Sequence, residues 1–473
     1  MIGSSRPGLL LLGHGSHFNA DSSAAIHSHA DRIRSSGAFA EVRVGFWKEE
    51  PAICRALELF HANRVLAVPV FMSGGYFTEE VVPRELGIPG PGRHENHGKT
   101  IWYTQPVGTH RSLADVIVQR ALQAGASGAE ALVVLGHGTS RHSNSEKNIY
   151  RQADRVREIG GFAEVTTAFL DQKPGLDEIW TLVKADEIIV VPLFVADGWH
   201  VAETIPRDLD LAGGENRREG RRLRFAGAVG THEKLSRVIH LLALEACPDL
   251  PAAGDPSPGD SREERELERI LSVGRCALGE LKLSRFGNGV VIEGPGSEPR
   301  QSAPSDRMAF RRWIRHTEEG IYRPLSGARS LRPGWRVQCG SMGEAAERIE
   351  MIYPGAILHS THRRAGSLRI TPPHEALSRQ SGRYEPAGTL CRDRIDRCAV
   401  ALCSTCVRSP VWLKTSGTGG IPCPEPCSVF VALAREVAGW GETDKGIQTT
   451  GPADRFAAFE NPSNPIRQRY FSG

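Results

Sequence analysis

The chain has 473 residues, of which 40% are hydrophobic and 24% are charged, and its formal net charge is +3 at pH 7. This length predicts three or four domains, and so small a net charge argues against a dedicated nucleic-acid-binding or membrane-surface protein. No apolar run approaches the roughly 20 residues of a membrane span, and the run at 9–12 is too short for a signal-peptide core, so we expect a cytoplasmic protein.

The predicted elements of the first quarter of the chain alternate between strand and helix. Uninterrupted apolar runs predict strands at residues 9–12, 42–46 and 65–70, and helical periodicity predicts helices at 22–34 and 52–60. Because each strand is apolar throughout, we expect a parallel sheet with helices covering both of its faces.

The second quarter repeats this order. Corresponding strands are predicted at 131–135, 165–169 and 188–193, corresponding helices at 146–157 and 176–183, and fourth strands of the two copies at 101–103 and 223–226. The sequence LGHGS at 12–16 returns 123 residues later as LGHGT at 135–139, and PREL at 83–86 returns as PRDL at 206–209. A register kept over this distance predicts two copies of one α/β fold, that is, two tandem doubly wound parallel-sheet lobes.

The remainder of the chain differs in composition. Residues 248–261 are rich in Pro, Gly, Ala and Asp, which predicts a linker. A helix from about residue 263, a hairpin over 281–292 with its turn at Asn288–Gly289, and helices near 311–315 and 344–351 predict a small α+β domain. The expected segments are a first lobe at 1–125, a second lobe at 126–247, the linker at 248–261, the α+β domain at 262–384, a cysteine-rich domain at 385–440 and a tail at 441–473.

The two copies differ in the side chains that follow their strands. His14 and His137 correspond, but the second copy has Asp171 and His200 where the first has Lys48 and Phe77. The carboxyl ends of parallel strands line the ligand crevice of such sheets, and two imidazoles with a carboxylate suit a divalent first-row metal ion. The second copy is therefore the predicted site.

Six of the ten cysteines lie in the last fifth of the chain, and they are Cys391, Cys398, Cys403, Cys406, Cys423 and Cys427. In a chain without a predicted signal peptide, this clustering favours metal ligation over disulfides. No histidine interrupts the stretch, so an all-thiolate site is predicted. Four thiolates suit structural zinc or an iron–sulfur cluster, and the spacing does not select four of the six.

These motifs together resemble the sirohydrochlorin chelatase family of class II chelatases. The resemblance rests on the strand-Gly-His-Gly start, on the segment Phe169–Pro174 and on Pro192–Pro206. It implies a lyase that inserts a divalent metal, cobalt or iron, into a reduced tetrapyrrole without ATP, in cobalamin or siroheme biosynthesis.

The resemblance also implies roles for individual residues. His137 matches the histidine that binds metal and accepts protons, His200 matches the second histidine, and Glu203 stands where related ferrochelatases have a catalytic glutamate. Asp171 takes the place of a metal-binding glutamate, Thr204 stands where an acid is common, and His14 matches the first-lobe histidine.

The cysteine-rich segment resembles the [4Fe–4S] domain of a two-lobed chelatase subgroup that carries a stabilising domain between lobes and cluster, so a [4Fe–4S] cofactor is favoured over zinc. An alternative function is a metal- or tetrapyrrole-binding redox sensor or carrier, and a third is an iron–sulfur oxidoreductase that acts on tetrapyrroles. The complete His137–Asp171–His200 grouping in one copy favours the chelatase. The tetrapyrrole is the expected partner, with neither nucleic acid nor membrane, and the sequence does not indicate an oligomeric state.

Overall fold

Five-stranded sheets organise the part of the chain that the computed structural model describes, which comprises residues 6–16, 19–96, 98–138, 143–248, 262–272, 276–296, 301–323 and 331–357. Two sheets belong to one compact unit, Met1–Pro258, and a third belongs to a second unit, Gly259–Gly473. None of the helices in these ranges has the length and apolar character needed to cross a bilayer.

Within the described residues, the first lobe contains five strands and four α-helices. In chain order they are β1 (Gly8–Gly13), α1 (Asp21–Ser35), β2 (Glu41–Phe46), α2 (Ile53–Ala56), β3 (Arg64–Pro69), α3 (Val82–Leu86), β4 (Gly92–Asn96), β5 (Lys99–Tyr103) and α4 (Leu113–Gln123). A 3₁₀ turn at Leu57–Leu59 extends α2, a π-helical turn at Phe77–Val81 precedes α3, and a second 3₁₀ turn occupies Val107–Thr109.

The second lobe repeats this element order. It contains β6 (Ala131–Gly136), α5 (Ser143–Ile159), β7 (Glu164–Phe169), α6 (Ile179–Leu182), β8 (Glu187–Pro192), α7 (Ile205–Asp208), β9 (Glu215–Arg218), β10 (Arg221–Phe225) and α8 (Leu235–Ala246). A 3₁₀ turn at Leu176–Glu178 leads into α6, a π-helical turn at His200–Thr204 leads into α7, and a 3₁₀ turn lies at Val229–Thr231.

The two sheets have the same topology, β2-β1-β3-β5-β4 and β7-β6-β8-β10-β9. The first four strands in each order pair in parallel, which confirms the predicted α/β fold of two tandem lobes. The fifth strand of each sheet, β4 or β9, is antiparallel to its neighbour and was not predicted. These edge strands are polar and exposed along much of their length, so they carry no apolar run.

Each sheet separates two hydrophobic cores because successive strand residues point to opposite faces. In β1, Leu9 and Leu11 face one core, whereas Leu10 and Leu12 face another. The core that contains Leu9 and Leu11 also contains Leu132 and Val134 of β6, so the two lobes share it. The opposite faces of the two sheets are covered separately within each lobe.

Two of the helices that fill the shared core are exchanged between the lobes. Helix α4, which ends the first lobe, contacts α5 and β8 of the second lobe, and α8, which ends the second lobe, contacts α1 and β3 of the first. Each lobe therefore completes its inner face with a helix that the other copy of the repeat supplies.

Buried polar contacts fix this exchange in equivalent places. Gln152 on α5 donates from Nε2 to the carbonyl of Gly108 at 2.8 Å. Its counterpart in the repeat, His29 on α1, donates from Nε2 to the carbonyl of Gly230 at 2.7 Å, while its Nδ1 lies 2.9 Å from the Ser236 hydroxyl. Burial lowers the pKa of His29, so a neutral ring makes both contacts.

The described part of the second unit is an α+β domain, as predicted. It contains α9 (Arg262–Ser272), β11 (Cys276–Leu278), β12 (Leu281–Phe286), β13 (Gly289–Glu293), β14 (Gln301–Ser302), α10 (Arg307–Ile314), β15 (Trp335–Cys339) and α11 (Met342–Ile352). The sheet order is β11-β12-β13-β15-β14. The six clustered cysteines lie outside the described residues.

The predicted hairpin forms, but its turn lies one residue earlier than expected. Phe286 pairs with Gly289, so Gly287 and Asn288 form the turn, and Gly287 has the positive φ of 57°. Gly289 instead starts β13, where an added Cβ would lie 1.9 Å from the carbonyl oxygen of Cys339. The Asn288–Gly289 prediction was wrong because this glycine allows a close strand contact.

Gly230 offers a test of the close packing between two loops of the second lobe. An added Cβ there would lie 2.0 Å from the carbonyl oxygen of Val195, whereas a Cβ at Gly227 would meet only Arg120 side-chain atoms, at 3.7 Å or more. We expect Gly230→Ala to remove at least about 3 kcal/mol of the free energy of unfolding. Gly227→Ala is the matched control and should stay near the parent in urea unfolding. Equal stability of the two variants would contradict the described packing.

Glu130 offers a second test, at the connection between the lobes. It is 2% exposed, and it accepts hydrogen bonds from the backbone N–H groups of Ser127 and Gly128 and from Arg224. Burial alone would raise the pKa of Glu130, but these donors reverse the effect and lower it from 4.5 to about 2. The ionised form is therefore the one that stabilises the fold.

We expect Glu130→Gln to reduce the stability at pH 7 by about 2 kcal/mol. Since the folded pKa is depressed, the unfolded chain binds more protons, and the contribution of Glu130 is lost as the pH falls from 4.5 towards about 2. The difference between variant and parent in urea unfolding should shrink over that range. Glu187→Gln removes a carboxylate 3.3 Å from the same guanidinium, but its side chain is 40% exposed, so it should cost less than about 1 kcal/mol.

Candidate active site

The candidate site lies at the carboxyl ends of three neighbouring strands of the second lobe. Strand β6 lies between β7 and β8, and His137 follows it directly. Asp171 follows β7 after one intervening residue, and its backbone N–H donates to the carbonyl of His137 at 2.9 Å. His200 comes after β8 as the first residue of the π-helical turn. The structure thus brings these three predicted residues to one sheet edge.

His137 and Asp171 contact each other directly. Nδ1 of His137 lies 3.1 Å from Oδ2 of Asp171 and 3.2 Å from the carbonyl oxygen of Gly138. Both neighbours of this nitrogen are hydrogen-bond acceptors, so Nδ1 carries the proton in the neutral ring and Nε2 keeps a free lone pair. The side chains are 49% and 60% exposed, so the contact orients the ring more than it stabilises the fold.

Gly138 lets the chain leave β6 in the direction that exposes this imidazole. Its φ of +74° lies in the left-handed region, and an added Cβ would meet the side chain of Gln172 at 2.7 Å. Both the backbone conformation and the space therefore require glycine after His137.

His200 contributes the second imidazole. Its ring centroid lies 5.3 Å from that of His137, with the ring planes 84° apart. Burial lowers the pKa of His200, the neighbouring His137 lowers it further, and the Asp171 carboxylate acts in the opposite direction. The ring is therefore neutral at pH 7 and has a lone pair available. Its Nδ1 is buried, with no hydrogen-bond partner among the described residues.

The same backbone frame carries different chemistry in the first lobe. The N–H of Lys48 donates to the carbonyl of His14 at 2.8 Å, as that of Asp171 does to His137. The His14 ring, however, lies edge-on to Phe77 at 4.9 Å, and the Lys48 ammonium lies over the Trp47 ring at 5.2 Å. An apolar ring and a cation occupy the positions of the second imidazole and the carboxylate.

The other predicted residues, Glu203 and Thr204, lie on the turn that His200 begins. Glu203 is exposed at the fourth position of the π-helical turn that His200 begins. The hydroxyl of Thr204 is buried and lacks a hydrogen-bond partner within the described part of the chain. Across the same residues, no three His, Cys, Asp or Glu side chains have the spacing of a formed metal site, so His137, Asp171 and His200 associate pairwise.

Sequence reasoning missed residues that support the site. Oδ1 of Asp197 accepts the backbone N–H of Ala228 at 2.8 Å and so anchors the loop before His200. Phe194 lies 6.1 Å from His137 between ring centroids, and Trp199 lies 5.4 Å from His200. The signal was available for Asp197, since the first copy has Gly74 at that position.

Comparison with known proteins identifies the family. The CbiX profile matches twice, over residues 8–124 and 131–246. A protein of Halobacterium salinarum named probable sirohydrochlorin cobaltochelatase is 42% identical over 267 residues, which cover 50% of this chain and 91% of that protein. The chain belongs to the CbiX chelatase family. The resemblance predicted from the strand-end motifs is therefore confirmed.

Other relatives of this CbiX chelatase cover one lobe or nearly the whole chain. The sirohydrochlorin cobaltochelatase of Methanosarcina barkeri is 32% identical over 125 residues, 25% of this chain and 95% of that protein. The crystal structure of DR2241 from Deinococcus radiodurans, a multi-domain protein with structural similarity to chelatases, aligns with a TM-score of 0.74 at 27% identity. It covers 92% of this chain and 100% of DR2241.

Two further profiles match the C-terminal half of this CbiX chelatase. The DR2241 stabilising domain matches residues 299–365, and a 4Fe-4S iron-sulfur cluster binding domain matches residues 365–436. The second match contains all six clustered cysteines. The two profiles meet at residue 365, whereas composition placed the border at 384.

Proposed function

We propose that this chelatase inserts Co²⁺ into sirohydrochlorin at the strand ends of the second lobe, without ATP. The observation that carries the proposal is the grouping of His137 with Asp171 and His200, which the first lobe lacks. The names of the curated relatives support sirohydrochlorin as the macrocycle and favour cobalt over iron.

The proposed reaction needs proton acceptors as well as metal ligands. Two pyrrole N–H bonds break, all four ring nitrogens bind the divalent ion, and two protons leave for each ion that enters the ring. Nε2 of His137 is the proposed first acceptor, because Nδ1 already carries a proton directed at Asp171 and Gly138. When Nε2 accepts a proton, the Asp171 carboxylate stabilises the imidazolium across the 3.1 Å contact.

His200 is proposed to bind the incoming cation. Its lowered pKa keeps the ring neutral, and a neutral imidazole is a good ligand for a first-row divalent ion. Two imidazoles and one carboxylate would leave the ion further exchangeable positions, from which it can pass to the macrocycle. Glu203, exposed on the same turn, is the proposed second acid–base group.

We also propose that four of the six clustered cysteines, Cys403 and Cys406 among them, bind a [4Fe–4S] cluster. The donor set fits the group, since the stretch from Cys391 to Cys427 offers six thiols and no imidazole. The proposed borders of the two lobes remain those expected from the sequence, whereas the match to the cluster-binding domain begins at residue 365, before the border expected at 385.

The catalytic proposal predicts a strong difference between histidine variants. His137→Ala or His200→Ala should slow metal insertion at least about 100-fold, because each removes a proton acceptor or a ligand. His14→Ala should be far less affected, and His94→Ala, on edge strand β4, is the control. The measurement is the absorption change when the anaerobic protein is mixed with sirohydrochlorin and Co²⁺, Fe²⁺ or Ni²⁺ in turn.

Parental insertion by the double variant His137→Ala/His200→Ala would contradict this site. Tight macrocycle binding by the parent with no turnover for any of the three ions would instead favour the carrier or sensor function. Faster insertion of Fe²⁺ than of Co²⁺ would contradict the proposed metal.

The cluster proposal predicts about four iron and four sulfide per chain after anaerobic purification. Cys403→Ser should lower both contents and bleach the visible absorption, because a thiolate ligand is lost. Cys54→Ser, which changes a thiol of the first lobe, is the control and should keep the parental content. Stoichiometric zinc without sulfide would contradict the proposal.

A further inference from the structure

Trp199 is an unusually exposed aromatic side chain beside the candidate site. Its relative exposure is 59%, the highest of any large hydrophobic side chain in the described part of the chain. Tryptophan is highly buried on average in folded proteins, because leaving an indole in water forfeits a large hydrophobic gain. A single exposed apolar side chain is ordinary in itself, so it is the place of this indole beside the candidate site, 5.4 Å from the ring of His200, that points to a ligand contact.

The backbone that carries Trp199 is anchored on both sides. Before it, the Asp197 carboxylate accepts the N–H of Ala228 at 2.8 Å, and the Phe194 carbonyl accepts the N–H of Gly230 at 2.8 Å. After it, the N–H of Ala202 donates to the carbonyl of Gly198 at 2.9 Å. The indole is therefore presented by an ordered segment, which lowers the entropic cost of binding.

The indole is adjacent to the imidazole rings of the candidate site. Its centroid lies 5.4 Å from that of His200, which in turn lies 5.3 Å from that of His137. A planar ligand that contacts the indole would therefore reach the ring of His200, which itself contacts that of His137.

In the first lobe the counterpart of Trp199 is Tyr76. Tyr76 lies 5.9 Å from Phe77, which stacks on Phe71 at 6.1 Å with the ring planes 17° apart. All three rings pack against the outer core of that lobe. The aromatic ring is thus part of the packing in the first lobe and faces solvent in the second.

We propose that Trp199 contacts the macrocycle and sets its affinity, with the indole packed against the conjugated ring of the substrate. This inference rests on the proposed function. The occupant is a flat, conjugated ligand, because a single exposed ring beside two imidazoles matches such a molecule, whereas a protein interface needs a broad patch. Aromatic contact supplies affinity without taking part in proton transfer.

The test compares Trp199→Ala and Trp199→Phe with Phe286→Ala. Phe286 is 58% exposed and lies on β12 in the second unit, so it is a matched control. The measurements are the Kd for metal-free sirohydrochlorin by anaerobic absorbance titration, and KM and kcat for Co²⁺ insertion. We expect Trp199→Ala to raise Kd and KM about 10-fold with kcat within about threefold of the parent. Trp199→Phe should recover most of the affinity, and Phe286→Ala should match the parent.

Two outcomes would overturn the role of Trp199 alone. One is that Kd and kcat of Trp199→Ala both match the parent, and the other is a fall in kcat at unchanged Kd, which would make Trp199 a support for His200. If the parent neither binds nor metallates sirohydrochlorin, the proposed function fails instead. The parental measurements therefore distinguish the two failures.

Discussion

The exchange of α4 and α8 between the lobes is the constraint on which the rest of the larger unit depends. Each helix fills the inner face of the sheet that the other copy provides, so the shared core closes only when both lobes are present. The hydrogen bonds from Gln152 to Gly108 and from His29 to Gly230 repeat the arrangement with different side chains. Packing, and not the covalent connection, holds the two sheets together.

This shared scaffold leaves the strand ends free to diverge. The backbone bond that carries Lys48 to His14 is matched by the one that carries Asp171 to His137. Only the side chains differ, and they convert an apolar contact around Phe77 into a polar pair with an adjacent imidazole. The fold therefore separates the inner helices, which join the two lobes, from the residues following the strands, which differ between the copies.

The sequence predicted the elements that carry strong periodicity. The buried strands β1 and β6, the long helices α1 and α5 and the duplication itself all follow from apolar patterns, and the difference between Phe77 and His200 located the candidate site. The positions of these residues directly after predicted strands were enough to place the candidate site, because parallel strands bring their carboxyl ends to one edge of the sheet.

The remaining features depend on long-range contacts that no local pattern records. The predicted helix at 52–60 contains only one short α-helix, Ile53–Ala56, followed by a 3₁₀ turn. The edge strands β4 and β9 are mostly polar, so they lack the apolar signal of a buried strand. The sequence also gives no signal for the helix exchange, because α4 has the same amphipathic pattern whichever sheet it covers. The exposure of Trp199 depends on which rings surround it.

The exchanged helices also bear on how such a chain arose. A single-lobed ancestor with this topology would have an unfilled inner face, and a second identical copy lending its terminal helix is the simplest way to complete it. In such a dimer of identical chains, one gene encodes both sites, so every substitution changes both of them. Fusion into one polypeptide lets the two halves change separately, and in this chain they differ at the strand ends, with Asp171 and His200 in one half and Lys48 and Phe77 in the other.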